Sequence, residues 1–450
     1  MKIIYENKLE IFAKYLPCEL YLVGGSVRNF LMGESKPLDY DLCSAIPVQE
    51  MISLLENFGG EVVARYDRTG TIVFKFDKIK YEYTCFRKDG YTAGGKHTPD
   101  DVEFTDDILE DALRRDFKCN AIYYDLKNQR LVDPLGGIED IKNKVLDTVK
   151  SPKEVFSHDG LRLLRLARFT AELGFTPTKE VLDGAREYAD NILDISVERI
   201  WAELGKILVA DEKYPFSPKD GHYLGLKVLD DTRVLDRILP EIAKGRGIAQ
   251  RQDFHTYDVL EHTLKSVLYA PKSVRLFAIL HDVGKPLVFE KNGNFYEHEK
   301  EGVLLCKRIL ERLKGDKKTI QTAVILVGLH MADMDCKMRE SKVRKLILEN
   351  YKIIDLLLAL KQADFSACKD DLSVCPTVIK WKEILEKMKE EGTPFNLKDL
   401  KITANDLIEI GYEGERIGRQ MKRLLFLCGQ YPEKNDREYL LEKARKDFEG

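Results

Sequence analysis

The chain has 450 residues, of which 44% are hydrophobic and 33% charged, and its formal net charge is -4. This length exceeds what one hydrophobic core usually serves, so it predicts two to four domains of an ordinary soluble globular protein. The small negative charge argues against indiscriminate coating of nucleic acid, although a local basic surface could still hold RNA. The first residues lack a signal-peptide core, and no apolar run approaches the roughly 20 residues of a membrane span.

Nine cysteines are scattered along the chain without a C-x-x-C pair. An odd and unpatterned set indicates reduced thiols, and it argues against a disulfide framework or a zinc site built from cysteines. We therefore expect a cytoplasmic protein that does not associate with a membrane. Its oligomeric state stays unknown at this point.

The patterns change along the chain from mixed strand and helix to almost entirely helical. A short strand is predicted over 21–23, followed by two glycines and a helix that stops at Gly33. Strand-like alternation with a period of two runs over 69–76 and 80–86. From about residue 151 helical patterns dominate, so the chain is predicted to have a small head with a sheet and a long helical body.

The segment LVGGSVRNFLMGESKPLDYDL carries the strongest chemical pattern of the head. Two glycines, Gly24 and Gly25, between a strand and a helix let backbone N–H groups approach a phosphate, and Arg28 could clamp a phosphoryl oxygen. Asp39 and Asp41, at i and i+2 on a strand, would point to one face and could hold the Mg²⁺ pair that aligns a 3′-hydroxyl and a triphosphate. Each feature alone is more often a turn or a surface pair, but their ordered combination predicts a nucleotidyl-transfer site.

The series GGSVRN, LMG and DYD is similar to the signature of the bacterial-type (class II) CCA-adding enzyme and poly(A) polymerase family. This family lies within the DNA polymerase β nucleotidyltransferase superfamily. The resemblance implies a polymerase β-like α+β head with a mixed or antiparallel sheet, and Asp39 and Asp41 as catalytic ligands of Mg²⁺. YEYTCFR (81–87) resembles the strand that bears a further catalytic acidic position, here Glu82. The family usually has Asp where this chain has Asn29, a position outside the metal-ligand pair.

The segment RRDFKCNA matches the family's ribose-recognition motif. Arg114 and Arg115 offer charge for a triphosphate. Asp116 and Asn120 add hydrogen-bonding capacity for a 2′-hydroxyl, the group that separates ribonucleotides from deoxyribonucleotides. The plain alternative for RRDF is a solvated helix start.

The segment HDGLRLLRLARFTAELGF contains four further candidates for nucleotide binding, Asp159, Arg162, Arg165 and Arg168. Asp159 and Arg162 are three residues apart and would share a face of a helix. A carboxylate can accept from the amino group of cytosine, and a guanidinium can donate to base acceptors. In the family, an E-D-x-x-R motif at this place selects CTP and ATP, and His158 stands here where that Glu usually stands. The arginines could instead form a solvated stripe.

Five of the eight histidines lie between residues 255 and 330. Four of these histidines form an ordered set with two aspartates: His262, His281, Asp282, His298, His330 and Asp364. Most lie in helical segments that could point to one centre. Imidazole and carboxylate together suit Mn²⁺, Fe²⁺, Ni²⁺ or Zn²⁺, which would make a hydroxide nucleophile from bound water, and six ligands could hold two ions. A buried core histidine is the usual alternative for a single histidine.

The motif LHDVGKP in this set resembles the HD phosphohydrolase superfamily. Some bacterial CCA-adding enzymes carry such a domain and remove phosphates or cyclic phosphates from damaged RNA 3′ ends, which is the activity that the resemblance implies here. Lys285 is a candidate contact of a phosphate. His255 shares the helical face of His262 and could be a ligand, a substrate contact or a core residue.

The last segment, FNLKDLKITANDLIEIGYEGERIGRQMKRLL (395–425), resembles the helical module that holds the tRNA elbow in this family. Contact with RNA would rest on Arg416, Arg419, Lys422 and Arg423. A solvated helix face explains these four residues equally well.

The resemblance implies four domains: a nucleotidyltransferase head (1–137), a helical neck that binds RNA and the nucleobase (138–243), an HD phosphohydrolase domain (244–392) and a helical tRNA-binding tail (393–450). The predicted function is template-independent addition of CCA to tRNA from CTP and ATP. A poly(A), CC-only or A-only polymerase on the same fold stays open. In a third hypothesis the HD hydrolase dominates and the head only binds RNA, but the paired aspartates argue against it.

Overall fold

The structure is a computed structural model, and it describes residue 3 and residues 7–34, 40–91, 95 and 99–449. Asp39, one of the two predicted Mg²⁺ ligands, lies outside the described residues. The chain divides into two compact units, Met1–Lys244 with Arg312–Gly315 and Gly245–Glu311 with Asp316–Gly450. Within the described ranges, no helix is both long enough and apolar enough to span a bilayer.

The strands all belong to the first unit. They are β1 (Tyr21–Val23), β2 (Asp41–Ser44), β3 (Glu61–Tyr66), β4 (Thr71–Phe76), β5 (Ile79–Cys85), β6 (Arg87–Gly90), β7 (Asp101–Phe104), β8 (Tyr123–Asp125), β9 (Arg130–Val132), β10 (Val145–Leu146) and β11 (Thr176–Pro177). Seven of them form one mixed sheet in the order β3-β4-β5-β2-β1-β8-β9. Within this sheet β2 and β5 are parallel, and the other neighbouring pairs are antiparallel. β6 pairs with β7, and β10 with β11, outside it.

The burial of the central strands follows from their sequences. In β5 the side chains of Tyr81 and Tyr83 are buried in the core, whereas Glu82 between them is exposed on the opposite face. β4 does not show the predicted alternation, because nearly all of its residues are buried. Successive residues of a strand point to opposite faces, so both faces of β4 are covered.

The helices of the first unit lie on the sheet and in the segment that follows it. They are α1 (Asn7–Tyr15), α2 (Gly25–Leu31), α3 (Val48–Asn57), α4 (Ile108–Leu113), α5 (Gly137–Asn143), α6 (Pro152–His158), α7 (Leu161–Leu173), α8 (Lys179–Glu187), α9 (Val197–Leu208), α10 (Gly221–Asp231), α11 (Leu235–Ile238) and α12 (Pro240–Ala243). Residues of α1 and α3 pack with those of β4 and β5 in one core cluster. In the neck, α7 packs against α9 and α10.

The second unit is helical throughout its described residues. Its helices are α13 (Val259–Tyr269), α14 (Arg275–Ala278), α15 (Lys285–Asn292), α16 (His298–Arg312), α17 (Lys317–Leu329), α18 (Glu340–Asn350), α19 (Ile354–Lys369), α20 (Pro376–Glu390), α21 (Ala404–Ile410), α22 (Glu415–Gln430) and α23 (Arg437–Glu449). The last three helices share a small core of their own, which includes Leu407, Leu424 and Leu440. A head with a mixed sheet and an otherwise helical chain confirm the predicted fold class.

Candidate functional site

Two carboxylates of the head lie on the neighbouring central strands β2 and β5, and one of them lies beside the glycine turn. Asp41 begins β2 and pairs in register with Glu82 of the parallel strand β5, and both side chains are exposed. Gly24 has a φ of 74°, a left-handed conformation that favours glycine. A Cβ atom placed on Gly24 would lie 3.4 Å from Asp41 Oδ2. The turn between β1 and α2 therefore lies directly beside the Asp41 carboxylate.

Arg28 continues this site from α2. Its side chain is buried, with 2% of the residue exposed. It donates to Asn29 Oδ1 at 2.9 Å and to Asn120 Oδ1, and its Nη2 lies 3.5 Å from the Tyr214 hydroxyl. Its guanidinium carbon lies 5.2 Å from the centre of the Phe169 ring. These partners are all neutral, and among the described residues no carboxylate pairs with the Arg28 guanidinium, so its buried charge suits an anionic ligand.

Asp116 and Asn120 extend the contacts of Arg28 into the neck. Asn120 Nδ2 donates to Asp116 Oδ1 at 3.0 Å, and Arg165 Nε donates to Asp116 Oδ2 at 2.7 Å. Burial opposes ionisation of Asp116, but Arg165 and Asn120 outweigh it and hold the pKa of this carboxyl below its ordinary value. The structure therefore joins Arg28, Asn120, Asp116 and Arg165 in one hydrogen-bonded chain.

Arg114 and Arg115 are held by a carboxylate that the sequence reasoning missed. Arg114 Nε lies 2.7 Å from Asp111 Oδ1, and Arg115 Nη2 lies 2.9 Å from Asp111 Oδ2, which also accepts from the Tyr123 hydroxyl. Burial would raise the pKa of Asp111, but the two guanidinium groups outweigh it and lower the pKa. A solvated helix start is therefore wrong for RRDF, because Arg114 follows the end of α4 and both side chains are largely buried. Asp111 precedes the two arginines by three and four residues, the spacing of a helical ion pair.

Asp159 and Arg162 lie together, but for a different reason from the predicted one. α6 ends at His158 and α7 begins at Leu161, so Asp159 has an extended backbone between two helices. The prediction of a shared helical face is therefore wrong. Asp159 Oδ1 instead accepts from the N–H of Leu161 at 2.9 Å, as a capping residue does, and its Oδ2 lies 3.7 Å from Arg162 Nε.

His158 takes part in an aromatic stack beside this pair. Its ring lies 5.2 Å from that of Tyr91 at an interplanar angle of 13°, and the guanidinium carbon of Arg162 lies 5.9 Å from the Tyr91 ring. Burial lowers the pKa of His158 and raises the pKa of Tyr91 to about 12, so both side chains are mainly neutral at pH 7. Where the family usually has a carboxylate, this chain has a neutral stack next to Arg162.

Arg168 does not belong to the series of hydrogen bonds that begins at Arg28, because its guanidinium pairs with two buried glutamates. Its Nε donates to Glu203 Oε2 at 2.6 Å and its Nη1 to Glu172 Oε2 at 3.1 Å. Its guanidinium also lies 4.3 Å from the ring of Phe169, which the guanidinium groups of Arg28 and Arg165 approach to 5.2 Å each. Phe169 follows Arg165 by four residues, so helical spacing could have identified it.

The six predicted ligands of the second unit are all buried and converge. His262 lies in α13 and Asp364 in α19, whereas the other four occupy turns or helix ends: His281 and Asp282 between α14 and α15, His298 at the start of α16, and His330 directly after α17. Residues from five separate segments therefore form one cluster. The fold therefore brings the six predicted ligands together.

Asp282 lies between two pairs of histidines. Its Oδ2 is 3.3 Å from His262 Nε2 and 3.2 Å from His281 Nε2. Its Oδ1 is 3.1 Å from His298 Nε2 and 3.5 Å from His330 Nε2. A carboxylate with each oxygen facing a different histidine pair suits two metal ions, because it can bind one ion through each oxygen.

The remaining contacts orient the rings toward this centre. Nδ1 of three histidines contacts a backbone carbonyl within the same turn, at 2.7 Å for His281, 2.9 Å for His298 and 2.7 Å for His330. Such a contact fixes the ring and directs Nε2 to the centre. Asp364 Oδ1 lies 3.0 Å from His262 Nε2. Burial alone would lower the pKa of His281, but Asp282 and Asp364 raise it to about 10, so these groups hold a proton or a cation in its place.

Three charged or titratable groups border the cluster. Lys285 Nζ lies 2.6 Å from Asp282 Oδ2 and donates to Gln250 at 2.8 Å, so its charge is already matched by a predicted ligand. The ring of His255 lies 4.8 Å from that of His262, and burial lowers the pKa of His255 to about 4. Burial lowers the pKa of Lys361 to about 8, which leaves this amine mostly protonated at pH 7.

A cavity of about 1030 Å³ opens onto the cluster. It is lined, among others, by His255, Asp282, Lys285, His298, Lys361 and Asp364. The predicted ligands therefore have a space beside them in which a substrate could bind.

The four basic residues predicted to contact tRNA lie on the exposed face of α22. Two of them lie near carboxylates, Arg419 at 3.7 Å from Glu415 and Arg423 at 3.5 Å from Asp447. Arg416 lies over the rings of Tyr412 and Phe448. Lys422 is exposed beside them. Their role in binding RNA stays a prediction.

The sequence matches three family models in order. The poly A polymerase head domain matches residues 20–147, the probable RNA and SrmB-binding site of polymerase A matches residues 174–245, and the HD domain matches residues 254–363. These models cover both the head with its glycine turn and the histidine cluster.

Curated relatives and solved structures resemble the chain over most of its length. An A-adding tRNA nucleotidyltransferase of Deinococcus radiodurans is 30% identical over 366 residues, which are 77% of this chain and 76% of the relative. A multifunctional CCA protein of Acinetobacter baumannii is 31% identical over 331 residues, 70% of this chain and 74% of the relative. The crystal structure of the Bacillus stearothermophilus CCA-adding enzyme in complex with CTP has a TM-score of 0.67 at 21% identity and covers 99% of this chain and 100% of its own. The chain therefore belongs to the bacterial family of CCA-adding tRNA nucleotidyltransferases and poly(A) polymerases, and it carries an HD domain.

Proposed function

We propose that the first unit adds CCA to the 3′ end of tRNA from CTP and ATP without a nucleic-acid template. The supporting observation is a continuous series of contacts that leads from the carboxylates to the neck. Glu82 pairs with Asp41, Asp41 lies beside Gly24, and Gly25 is next to the Arg28 guanidinium. From Arg28 the hydrogen bonds continue through Asn120 and Asp116 to Arg165.

The residues of this series divide the tasks of the reaction. The oxygen donors of Asp39 and Asp41 suit Mg²⁺, and two such ions would align the tRNA 3′-hydroxyl with the α-phosphate and neutralise charge. The glycine turn lets the triphosphate approach the backbone, and the uncompensated charge of Arg28 balances it. Catalysis then rests largely on positioning and on fixed charges.

Base selection is assigned to Asp159 and Arg162 in the neck. Cytosine and adenine both carry an amino group from which a carboxylate can accept, and Arg162 can donate to the ring acceptors. The Acinetobacter relative is named a CCA protein, and the Deinococcus relative is named an A-adding enzyme. Addition of A alone is therefore the principal alternative within this family, and a poly(A) or CC-only polymerase is a further one.

Replacing Asp41 tests the proposed chemistry. We expect Asp41→Asn to lower nucleotide addition about 100-fold or more with both CTP and ATP, because a metal-binding carboxylate contributes several kcal/mol to such reactions. Asp77→Asn is the matched control, since Asp77 is an exposed carboxylate of the same sheet with a φ of 54° that asparagine tolerates. Addition by Asp41→Asn at the rate of the control would refute the assignment.

We propose a second function for the HD domain, a metal-dependent phosphohydrolase that acts on phosphates at RNA 3′ ends. The supporting observation is the position of Asp282 between two histidine pairs beside a cavity. Nitrogen and oxygen donors of this kind fit Mn²⁺, Fe²⁺, Ni²⁺ or Zn²⁺, which would supply a hydroxide nucleophile. The buried histidines would hold such an ion, and Lys285 contacts the Asp282 carboxylate and would keep it oriented.

His281→Ala tests the HD function separately from nucleotide addition. We expect this variant to lose hydrolysis of a 3′-phosphorylated or 2′,3′-cyclic RNA end in the presence of Mn²⁺ or Ni²⁺, because His281 Nε2 lies 3.2 Å from Asp282 and 3.5 Å from Asp364 and would bind the metal with them. Nucleotide addition should stay at the wild-type rate, and Asp41→Asn should show the reverse pattern. A chelator followed by Mn²⁺ should remove and restore hydrolysis in the wild type. Hydrolysis by His281→Ala at the wild-type rate would contradict the proposal.

A further inference from the structure

Lys361 is a buried lysine of the second unit whose charge the proposed hydrolase chemistry does not use. It lies in α19, three residues before Asp364, so the two side chains leave the helix on the same face. Only 3% of the residue is exposed, yet it lines the same cavity as Asp282, His298 and Asp364. An ammonium group therefore lies at the buried end of the cavity, next to the predicted metal ligands.

The partners of this ammonium group are all neutral. Its Nζ donates to the backbone carbonyl of His330 at 2.7 Å, lies 3.9 Å from Met334 Sδ and lies 5.4 Å from the Trp381 ring. Among the residues that the structure describes, no carboxylate lies within ion-pair distance of it. Lys285 differs, because Asp282 matches its charge at 2.6 Å. A buried cation that no carboxylate contacts directly is costly, so Lys361 is expected to find a closer counter-ion in a ligand.

The charged residues at the buried end of the cavity also indicate an anionic ligand. Its buried charged residues are Asp282 and Asp364, with one negative charge each, and Lys285 and Lys361, with one positive charge each. These four charges already balance. Each divalent cation bound by the histidines would add two positive charges that the described buried residues do not neutralise. An anionic substrate group would restore the balance.

The mouth of the cavity offers aromatic surface for the rest of a substrate. Tyr296 and Phe254, which line the cavity, are 80% and 57% exposed. Phe289 and Phe295 stack on each other at 5.3 Å and line it as well. Exposed aromatic rings bind nucleobases by stacking, without preference for one base.

We propose that Lys361 binds the phosphate group of the substrate in the HD domain, taking as that substrate the phosphorylated RNA end of the proposed hydrolase function. The phosphate lies between Lys361 and the metal ligands, and the base stacks on the aromatic mouth. This inference rests on the proposed hydrolase function and adds a residue that selects for the anionic group.

Three variants of the full-length protein test the inference. Lys361→Met removes the charge but keeps most of the side-chain volume, and Lys361→Arg keeps the charge. Lys369→Met is the matched control, because Lys369 lies in the same helix and lines the same cavity but is exposed. With Mn²⁺-loaded protein, KM and kcat are measured for 2′,3′-cyclic AMP. Binding of inorganic phosphate is measured by calorimetry, and metal content and Tm are recorded.

We expect Lys361→Met to weaken phosphate binding and to raise KM by about 10-fold or more, as the loss of one charge-assisted hydrogen bond predicts. The value of kcat should change less than KM, and Lys361→Arg should retain part of the affinity. Metal content and Tm should stay close to those of the wild type, because methionine fits a buried site of this size. Lys369→Met should behave as the wild type.

Two outcomes would overturn the inference. Unchanged phosphate binding and KM in Lys361→Met would show that the lysine does not contact the substrate phosphate. A loss of metal or of Tm in both Lys361 variants, with phosphate affinity per loaded site unchanged, would show a purely structural role. If the wild type binds phosphate but hydrolyses nothing, the hydrolase function fails while calorimetry still decides the role of Lys361.

Discussion

Asp159 combines a structural contact with a proposed role in base recognition at a single position of the neck. Its Oδ1 accepts from the N–H of Leu161 at the start of α7, and its Oδ2 faces Arg162. The first contact satisfies one of the N–H groups that every helix start leaves without an intrahelical partner. In the proposed function, this carboxylate also accepts from the amino group of cytosine or adenine.

Two substitutions of Asp159 separate these roles. Asparagine is as good a capping residue as aspartate but offers an amide N–H₂ in place of the second oxygen, whereas alanine offers neither. We expect Asp159→Asn to keep the wild-type free energy of unfolding and to lower the preference for CTP over UTP about 10-fold or more. Asp159→Ala should lose the same preference and about 1 kcal/mol of stability. An unchanged CTP preference in Asp159→Asn, measured as the ratio of kcat/KM values, would contradict base reading by Asp159.

The local sequence identified most site residues but not their partners. Gly24, Arg28 and Asn120 belong to recognisable motifs, and the structure places them in contact. Tyr214 and Phe169 carry no local signal for the role of contacting Arg28, because the Arg28–Tyr214 contact joins residues 186 positions apart. Such contacts depend on how the neck packs against the head within the first unit, which a residue pattern does not contain.

Among the secondary-structure elements, the position of α7 depends on a close approach between two segments of backbone, at Gly160 and at Asn191. Gly160 precedes α7, and its N–H donates to Gly95 O at 2.9 Å. A Cβ atom at Gly160 would lie 2.1 Å from the backbone oxygen of Asn191. This distance is far below any real contact, so a larger residue would push α7, with Arg162 and Arg165, away from its present position.

Alanine substitutions at two glycines of the neck test this dependence. We expect Gly160→Ala to lower the free energy of unfolding by about 1–3 kcal/mol, as overpacking does, and to weaken nucleotide addition. Gly205→Ala is the matched control, because Gly205 is exposed within α9 and a Cβ there would contact nothing within 4 Å. The control should raise stability by up to about 1 kcal/mol, since alanine favours helix. Equal stability of the two variants in urea unfolding would contradict the close approach.

The secondary-structure elements could be predicted where their sequence pattern is periodic. The prediction was wrong where a helix breaks. The strands near 71–76 and 79–85 follow from their apolar residues, although the burial of both faces of β4 does not, because it depends on what covers the sheet. The break between α6 and α7 was missed, since the apolar pattern runs through it. The Asp159–Gly160 pair, a capping residue followed by a glycine, was the available signal.

The whole molecule consists of two compact units, each with a candidate site of its own chemistry. The head and neck present carboxylates, a glycine turn and an arginine in a buried neutral environment, and the second unit presents a histidine and aspartate cluster beside a cavity. The fold class was predictable, because it depends on patterns that persist over many residues. The convergence of five separate segments on Asp282 was predictable only as an ordered list of residues, because the sequence does not contain their distances.

The most direct test of the central claim is the product that the pure protein makes on defined RNA ends. The substrates are a tRNA that lacks CCA, the same tRNA ending in C or CC, and an unrelated RNA, each with CTP, ATP or both. The account predicts addition of C, C and A to the first tRNA, completion of the other two, and no extension of the unrelated RNA. Addition of A alone to the tRNA ending in CC, with no incorporation of C, or runs of A on any RNA would contradict it.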